Sequence, residues 1–177
     1  MSFSNIELKA RTDRAALIRQ YLQDEGATFR GIDLQTDSYF ITNRGRLKLR
    51  QGNIENSLIY YERGDQPGPR ESVCRMMEVQ DAEQLRVILE NALGIRVIVK
   101  KKREIYYIRN VKFHLDELIG LGSFVEIEAS NKSHPLEVDV LREQCDFYRR
   151  AFLIKDEDLV DRSYSDLLLT TNYAHFR

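Results

Sequence analysis

Residues 111–130 read VKFHLDELIGLGSFVEIEAS, and their ionisable groups are spaced for chemistry on one face of a hairpin. Lys112, His114 and Asp116 alternate with Val111, Phe113 and Leu115, and Glu126 and Glu128 alternate with Val125 and Ile127. Successive strand side chains point to opposite faces, so three carboxylates, a lysine and a histidine are predicted to share one side of a tight turn. The same segregation recurs elsewhere. In NIELKAR, Glu7, Lys9 and Arg11 oppose Ile6 and Leu8, and in GRLKLR, Arg46, Lys48 and Arg50 oppose Leu47 and Leu49. VIVKKKREI puts Lys101 and Arg103 on the parity of Val99 and puts Lys100 and Lys102 on the other, while in LIYYER Arg63 aligns with Tyr61 and Ile59.

Collected on one face, these residues are the acids Glu7, Asp116, Glu126 and Glu128, the bases Lys9, Arg46, Lys48, Arg50, Arg63, Lys101, Arg103 and Lys112, and His114. Eight cations outnumber four carboxylates. Burying unpaired charge is costly, so an enclosed face of this kind must be wet or hold a compensating ligand. Arg forks and Lys ammoniums suit phosphate oxygens. The carboxylates would repel such a ligand unless a hard divalent cation stood between them, which points to a metal-bound oligophosphate. Taken singly, each strand also fits a solvated face with weak salt bridges. Their joint occurrence, with acids and bases clustered on different strands, is what a solvated face does not require.

The elements that must position these groups are mostly strands. Alternating runs fall near 3–11, 34–42, 45–51, 57–63, 70–79, 96–109, 111–118 and 123–130, separated by turn chemistry at NRGR, DQPGP, Asn110 and GLG. One helix is predicted after Thr12 and Asp13, with Ala16, Leu17, Tyr21 and Leu22 on its apolar face and Gly26 at its end. A second starts at Asp81 with Gln84 three residues on, carries Leu85, Ile88, Leu89 and Ala92, and stops at Gly94. A third runs from Pro135 to about Arg150 through Val138, Leu141 and Cys145, and a shorter helical tail covers DLVDRSYSDLLL. Helices need apolar surface to cover. If the apolar strand faces turn outward to them, the charged faces turn inward, and the expected fold is α+β: an eight-stranded antiparallel closed β-barrel with a charged interior and helices packed outside.

Composition limits the alternatives. At 177 residues without a linker or repeat, the chain is expected to form a single domain over 1–177. A formal net charge of −1 with 31% charged residues supplies no overall field to recruit nucleic acid or a membrane surface, and no apolar run reaches the roughly 20 residues of a spanning helix. Cys74 and Cys145 lack CxxC spacing and the amino terminus MSFSNIELKA lacks a signal region, so a reduced, cytoplasmic protein is expected, with a homodimer left open.

These pieces, in this order, resemble the CYTH superfamily, the triphosphate tunnel metalloenzymes, which include class IV adenylyl cyclases and thiamine triphosphatases. NIELKAR is similar to the family's ExExK signature; LKLR, LIYYER, VKKKR, FHLDELIGLGSFVEIE and the closing RSYSDLLL match further pieces, and the run from His114 to Glu128 most resembles the cyclase group. One departure is Asn5 in place of the first signature glutamate. The resemblance implies Mg²⁺ or Mn²⁺ as cofactor, with Glu7, Asp116, Glu126 and Glu128 associated with the metal. It implies catalytic duty for Asp116, Lys9 and Arg50, and phosphate binding by Lys9, Arg46, Lys48, Arg50, Arg63, Lys101, Arg103, Lys112 and His114. Three functions are compatible: hydrolysis of a small-molecule triphosphate, which is favoured; cyclisation of ATP; and binding of polyphosphate or nucleotide without turnover.

Overall fold

The computed structural model describes residues 3–62, 70–132 and 135–174. Eight strands, β1 (Phe3–Arg11), β2 (Thr28–Phe40), β3 (Arg46–Gln51), β4 (Ser57–Glu62), β5 (Arg70–Glu78), β6 (Ile95–Ile108), β7 (Val111–Leu118) and β8 (Gly122–Ser130), pair antiparallel in the cyclic order β1-β5-β4-β3-β2-β6-β7-β8 and close into a barrel. Closure rests on the β1–β8 ladder, where Glu7 faces Glu128 and Lys9 faces Glu126. Among the described residues no helix is long and apolar enough to cross a membrane.

Outward-facing Ile6, Leu8, Val111, Phe113, Val125 and Ile127 are buried under two helices, α1 (Ala15–Asp24) and α3 (Val138–Ala151). A smaller cluster of Phe40, Leu49 and Ala82 seats α2 (Ala82–Leu93) over β2 and β3. The Asp81 carboxylate caps α2 by accepting from the Gln84 amide at 2.9 Å. The inward set is therefore polar because the outward set is already committed to the helices.

Several boundaries differ from the pattern reading. β2 begins six residues earlier than expected, at Thr28. The alternation breaks because Arg30 is an extra residue in a bulge between Phe29 and Gly31, and Gly31 takes a φ of +126° that few side chains tolerate. On α1 the buried residues are Ile18 and Leu22, whereas Leu17 is exposed. On α2, Leu85 and Leu89 pack inward and Ile88 is exposed. α3 starts at Val138, not Pro135, because Glu137 is extended and the Leu136 carbonyl is held by the Asn131 side chain at 3.3 Å.

The tail forms α4 (Tyr164–Ala174), and it does not lie outside the barrel. Tyr164, Leu167 and Leu168 pack on Tyr39, Val99, Leu118 and Phe124, residues on the inward parities of β2, β6, β7 and β8. The charged interior thus gives way to an apolar plug at one end, and the barrel becomes a cup.

Candidate active site

The cup encloses a cavity of about 720 Å³ lined, among the described residues, by nine Lys and Arg side chains and six carboxylates. Against the expected eight bases and four acids, Asp37, Glu55 and Glu78 add carboxylates to the lining and Arg30, Arg109 and Lys132 add bases, while Asp116 and Arg46 are not part of it. A net positive wall remains.

Asp37 organises one side. It is buried and accepts from Arg50 at 2.9 and 3.1 Å and from Lys101 at 2.7 Å, with Lys48 at 3.5 Å. Burial alone would raise its pKa, but Arg50, Lys101 and Lys48 together hold it well below the usual carboxylate range. Glu55 pairs with Arg50 at 3.0 Å and with Lys112. Its loop is fixed by Asp33, which accepts from the Ile54 and Glu55 amides at 2.9 and 3.1 Å. Gly52 makes this approach feasible, since a Cβ there would lie 2.5 Å from an Asp33 oxygen.

Arg103 organises the other side. Asp116 accepts from its Nε at 2.6 Å, Glu126 from its Nη2 at 2.7 Å, and the Tyr164 hydroxyl from α4 donates to Asp116 at 2.8 Å. Lys9 bonds Glu126 at 3.1 Å and lies 4.0 Å from the Tyr164 ring centroid. Burial, aided by Arg103 and Lys112, pushes the pKa of His114 down to about 3. The imidazole is neutral, so its Nδ1–H donates to Glu126 at 3.1 Å and its buried Nε2 is left without a hydrogen-bond partner.

Toward the open end, Glu7 and Glu128 are cross-strand neighbours on the cavity wall. The Glu128 carboxyl is raised above its ordinary value: burial and the charges of Glu7, Glu126 and Glu55 outweigh Lys112. Beside them the Asn5 side-chain oxygen is buried with no hydrogen-bond partner. Among the described residues no three His, Cys, Asp or Glu side chains converge as a ready-made metal cage.

The structure brings Glu7, Lys9, Lys48, Arg50, Lys101, Arg103, Lys112, Glu126 and Glu128 to one cavity wall. His114 and Asp116 sit behind that wall, at 2% and 3% exposure, and brace Glu126 and Arg103 from there. Arg46 is set back at the plug, bonded to Asp166 of α4 at 2.8 Å. Arg63 lies outside the described residues. The pattern reading missed Asp37, Glu55 and Tyr164, and it also missed the rim bases Arg30, Arg109 and Lys132.

The CYTH domain profile matches residues 4–164. This chain belongs to the CYTH domain family. A Methanocaldococcus jannaschii protein named a "putative adenylate cyclase" is 25% identical to this CYTH chain over 179 aligned positions, covering 92% of it and 97% of the relative. A solved Pyrococcus horikoshii protein superposes on the CYTH chain with a TM-score of 0.79 at 27% identity, over 92% of this chain and 98% of that one. A Hippeastrum protein, described as a "putative adenylyl cyclase" with a dominant triphosphatase activity, shares the fold at a TM-score of 0.63 and 13% identity, over 96% and 95% of the two chains.

Proposed function

We propose that this CYTH chain processes a small-molecule triphosphate with a divalent cation, by hydrolysis. The observation that carries the reading is the single carboxylate Asp37 gathering Lys48, Arg50 and Lys101 on the wall of a closed cup. Three cations held in register before any ligand arrives have their ordering cost largely met, and phosphoryl transfer needs placement and charge neutralisation more than covalent chemistry by the protein.

The residues present fit a hard divalent cation. Glu7, Glu128 and the unpartnered Asn5 oxygen are oxygen donors on adjacent positions, and a positive ion among them would offset the burial and the carboxylate repulsion that together raise the Glu128 carboxyl. Mg²⁺ or Mn²⁺ bound there would supply charge neutralisation to the phosphates and a site for water. The chain's own residues do the rest. Lys9, Lys48, Arg50, Lys101, Arg103 and Lys112 take the phosphate oxygens; Asp116, Tyr164 and Glu126 hold the Arg103 fork flat. Water attacks the terminal phosphorus, the bond to the bridging oxygen breaks, the proton lost by the water passes to the released orthophosphate, and the ring of bases carries the charge that develops on the leaving diphosphate.

A second reading, conversion of ATP to cyclic AMP and pyrophosphate, is supported by the naming of the Methanocaldococcus relative. Both are tested together by incubating the protein with Mg²⁺ or Mn²⁺ and tripolyphosphate, ATP or thiamine triphosphate and resolving orthophosphate, pyrophosphate and cyclic AMP. Orthophosphate release is expected; cyclic AMP with pyrophosphate would instead support cyclisation, and binding without products would reduce the chain to a binding module. Glu128→Gln is expected to cut turnover by about tenfold or more and to weaken the divalent-cation dependence. Full turnover in that folded variant would remove Glu128 from the metal assignment.

A further inference from the structure

The cavity wall is not uniformly charged. Among the described residues, the inward parities of β4 and β5 place Ile59 opposite Met76 and Tyr61 opposite Cys74, four cavity-lining neighbours without a carboxylate or a base, and Ser57 opposite Glu78 beyond them. In the cyclic strand order, β4 and β5 stand across the barrel from β7 and β6, which carry Lys112, Lys101 and Arg103. Met76 is 38% exposed although it faces the lumen. Ile59 and Met76, at the centre of that surface, offer a phosphate chain neither charge nor a hydrogen-bond donor.

We propose that the β4–β5 wall seats a flat heteroaromatic ring joined to the phosphates, so that the substrate is an organic triphosphate and not inorganic tripolyphosphate. This deepens the triphosphate reading above and rests on it. The seat is continuous with the phosphate site through Lys48, whose Nζ lies 3.5 Å from Asp37 and 5.7 Å from the centroid of the Tyr61 ring. Phosphates held by Lys48, Arg50 and Lys101 therefore place their organic substituent against Ile59 and Met76. Methionine suits a platform for a planar ring because its thioether is polarisable and its side chain adapts. Toward the mouth the patch ends in polar groups, with Ser57 opposite Glu78, which matches a heterocycle whose edge carries N–H donors. A cavity of about 720 Å³ has the size of sites that enclose an organic ligand.

Two measurements test the seat. Met76 is one of three methionines, so its methyl resonance can be followed in ¹³C-methyl-methionine-labelled protein and assigned by its loss in Met76→Leu. A non-hydrolysable ATP analogue with Mg²⁺ is expected to shift the Met76 methyl upfield by ring current, and tripolyphosphate is expected to shift it far less. In kinetics, Met76→Ser is expected to lower kcat/KM for ATP or thiamine triphosphate at least fivefold more than for tripolyphosphate, mainly through KM, and Met76→Leu is expected to restore it. Equal methyl shifts with the two ligands, equal kinetic losses, or a wild-type preference for tripolyphosphate over both organic probes would overturn the proposal. A wild-type protein that neither binds nor turns over any of the three would instead overturn the triphosphate reading on which it rests.

Discussion

Lys101 is a lumen cation whose charge burial makes insecure. Burial pulls its pKa down to about 7; Asp37 opposes this, and the neighbouring charges of Arg103, Arg50 and Lys48 add to it. In the unfolded chain a lysine titrates near about 10.4. Between those values the folded lysine is neutral while the unfolded one is protonated, so this group's contribution makes stability rise with pH across that window. A bound polyanion reverses the local field and raises the Lys101 pKa, so binding takes up a proton above pH 7 and this part of the affinity weakens as pH increases. Calorimetry with tripolyphosphate at pH 8, in two buffers of different ionisation enthalpy, is expected to show proton uptake in the wild type that exceeds that of Lys101→Gln by up to about one proton. Equal uptake in the two proteins would mean that Lys101 does not meet the phosphates. The residues legible without a structure were those on strands with strict alternation. Asp37 was hidden because its inward neighbours Gln35 and Tyr39 carry no charge, so the run LQTDSYF shows no segregation. Glu55 was hidden because it sits between β3 and β4, where no period applies.

At the scale of elements, the barrel follows from which face each strand had to give to a helix. Ile6, Leu8, Phe113 and Ile127 are fully buried under α1 and α3, and their neighbours in sequence had only the lumen left. That much was readable as period-two alternation. α4 was not, because a helix that closes a barrel end carries the same apolar residues as one lying on its outer wall; only the inward parities of Tyr39, Val99, Leu118 and Phe124 tell the two apart. Tyr164 joins plug and site, through its ring on Phe124 at 5.0 Å between centroids and its hydroxyl on Asp116. Tyr164→Phe keeps the packing and loses one buried hydrogen bond, an expected cost of about 1–2 kcal/mol. Tyr164→Ala also leaves a cavity, for an expected cost of about 3–5 kcal/mol. Denaturant unfolding of the two variants checks the pair, and equal small losses would show that α4 does not seal the barrel.

For the molecule as a whole, the question is whether the lumen is built for an oligophosphate or is a set of ion pairs satisfied by one another. The pairing is extensive: Asp37, Glu55, Asp116 and Glu126 each hold a base. Yet the wall keeps more bases than acids, and those bases come from several strands around the ring. Three linked phosphates can reach bases on different strands at once, and a lone sulfate cannot. A ligand that binds only the folded protein stabilises it by RT ln(1 + [L]/Kd), about 2.7 kcal/mol at a hundredfold excess over Kd. For a chain of 177 residues this corresponds to a rise in Tm on the order of 5–10 °C. Thermal unfolding with tripolyphosphate and Mg²⁺ is therefore expected to show a rise of that size, and sulfate at equal ionic strength only a small one, because screening acts on both samples alike and bridging acts on one. Charge reversal at Lys48 and Arg50 together is expected to abolish the difference, whereas reversal at the exposed Lys102, on the outer face of β6 and outside the cavity lining, is expected to preserve it. Equal small shifts for the two anions, with and without the divalent cation, would mean that the ion pairs of the lumen serve the fold alone.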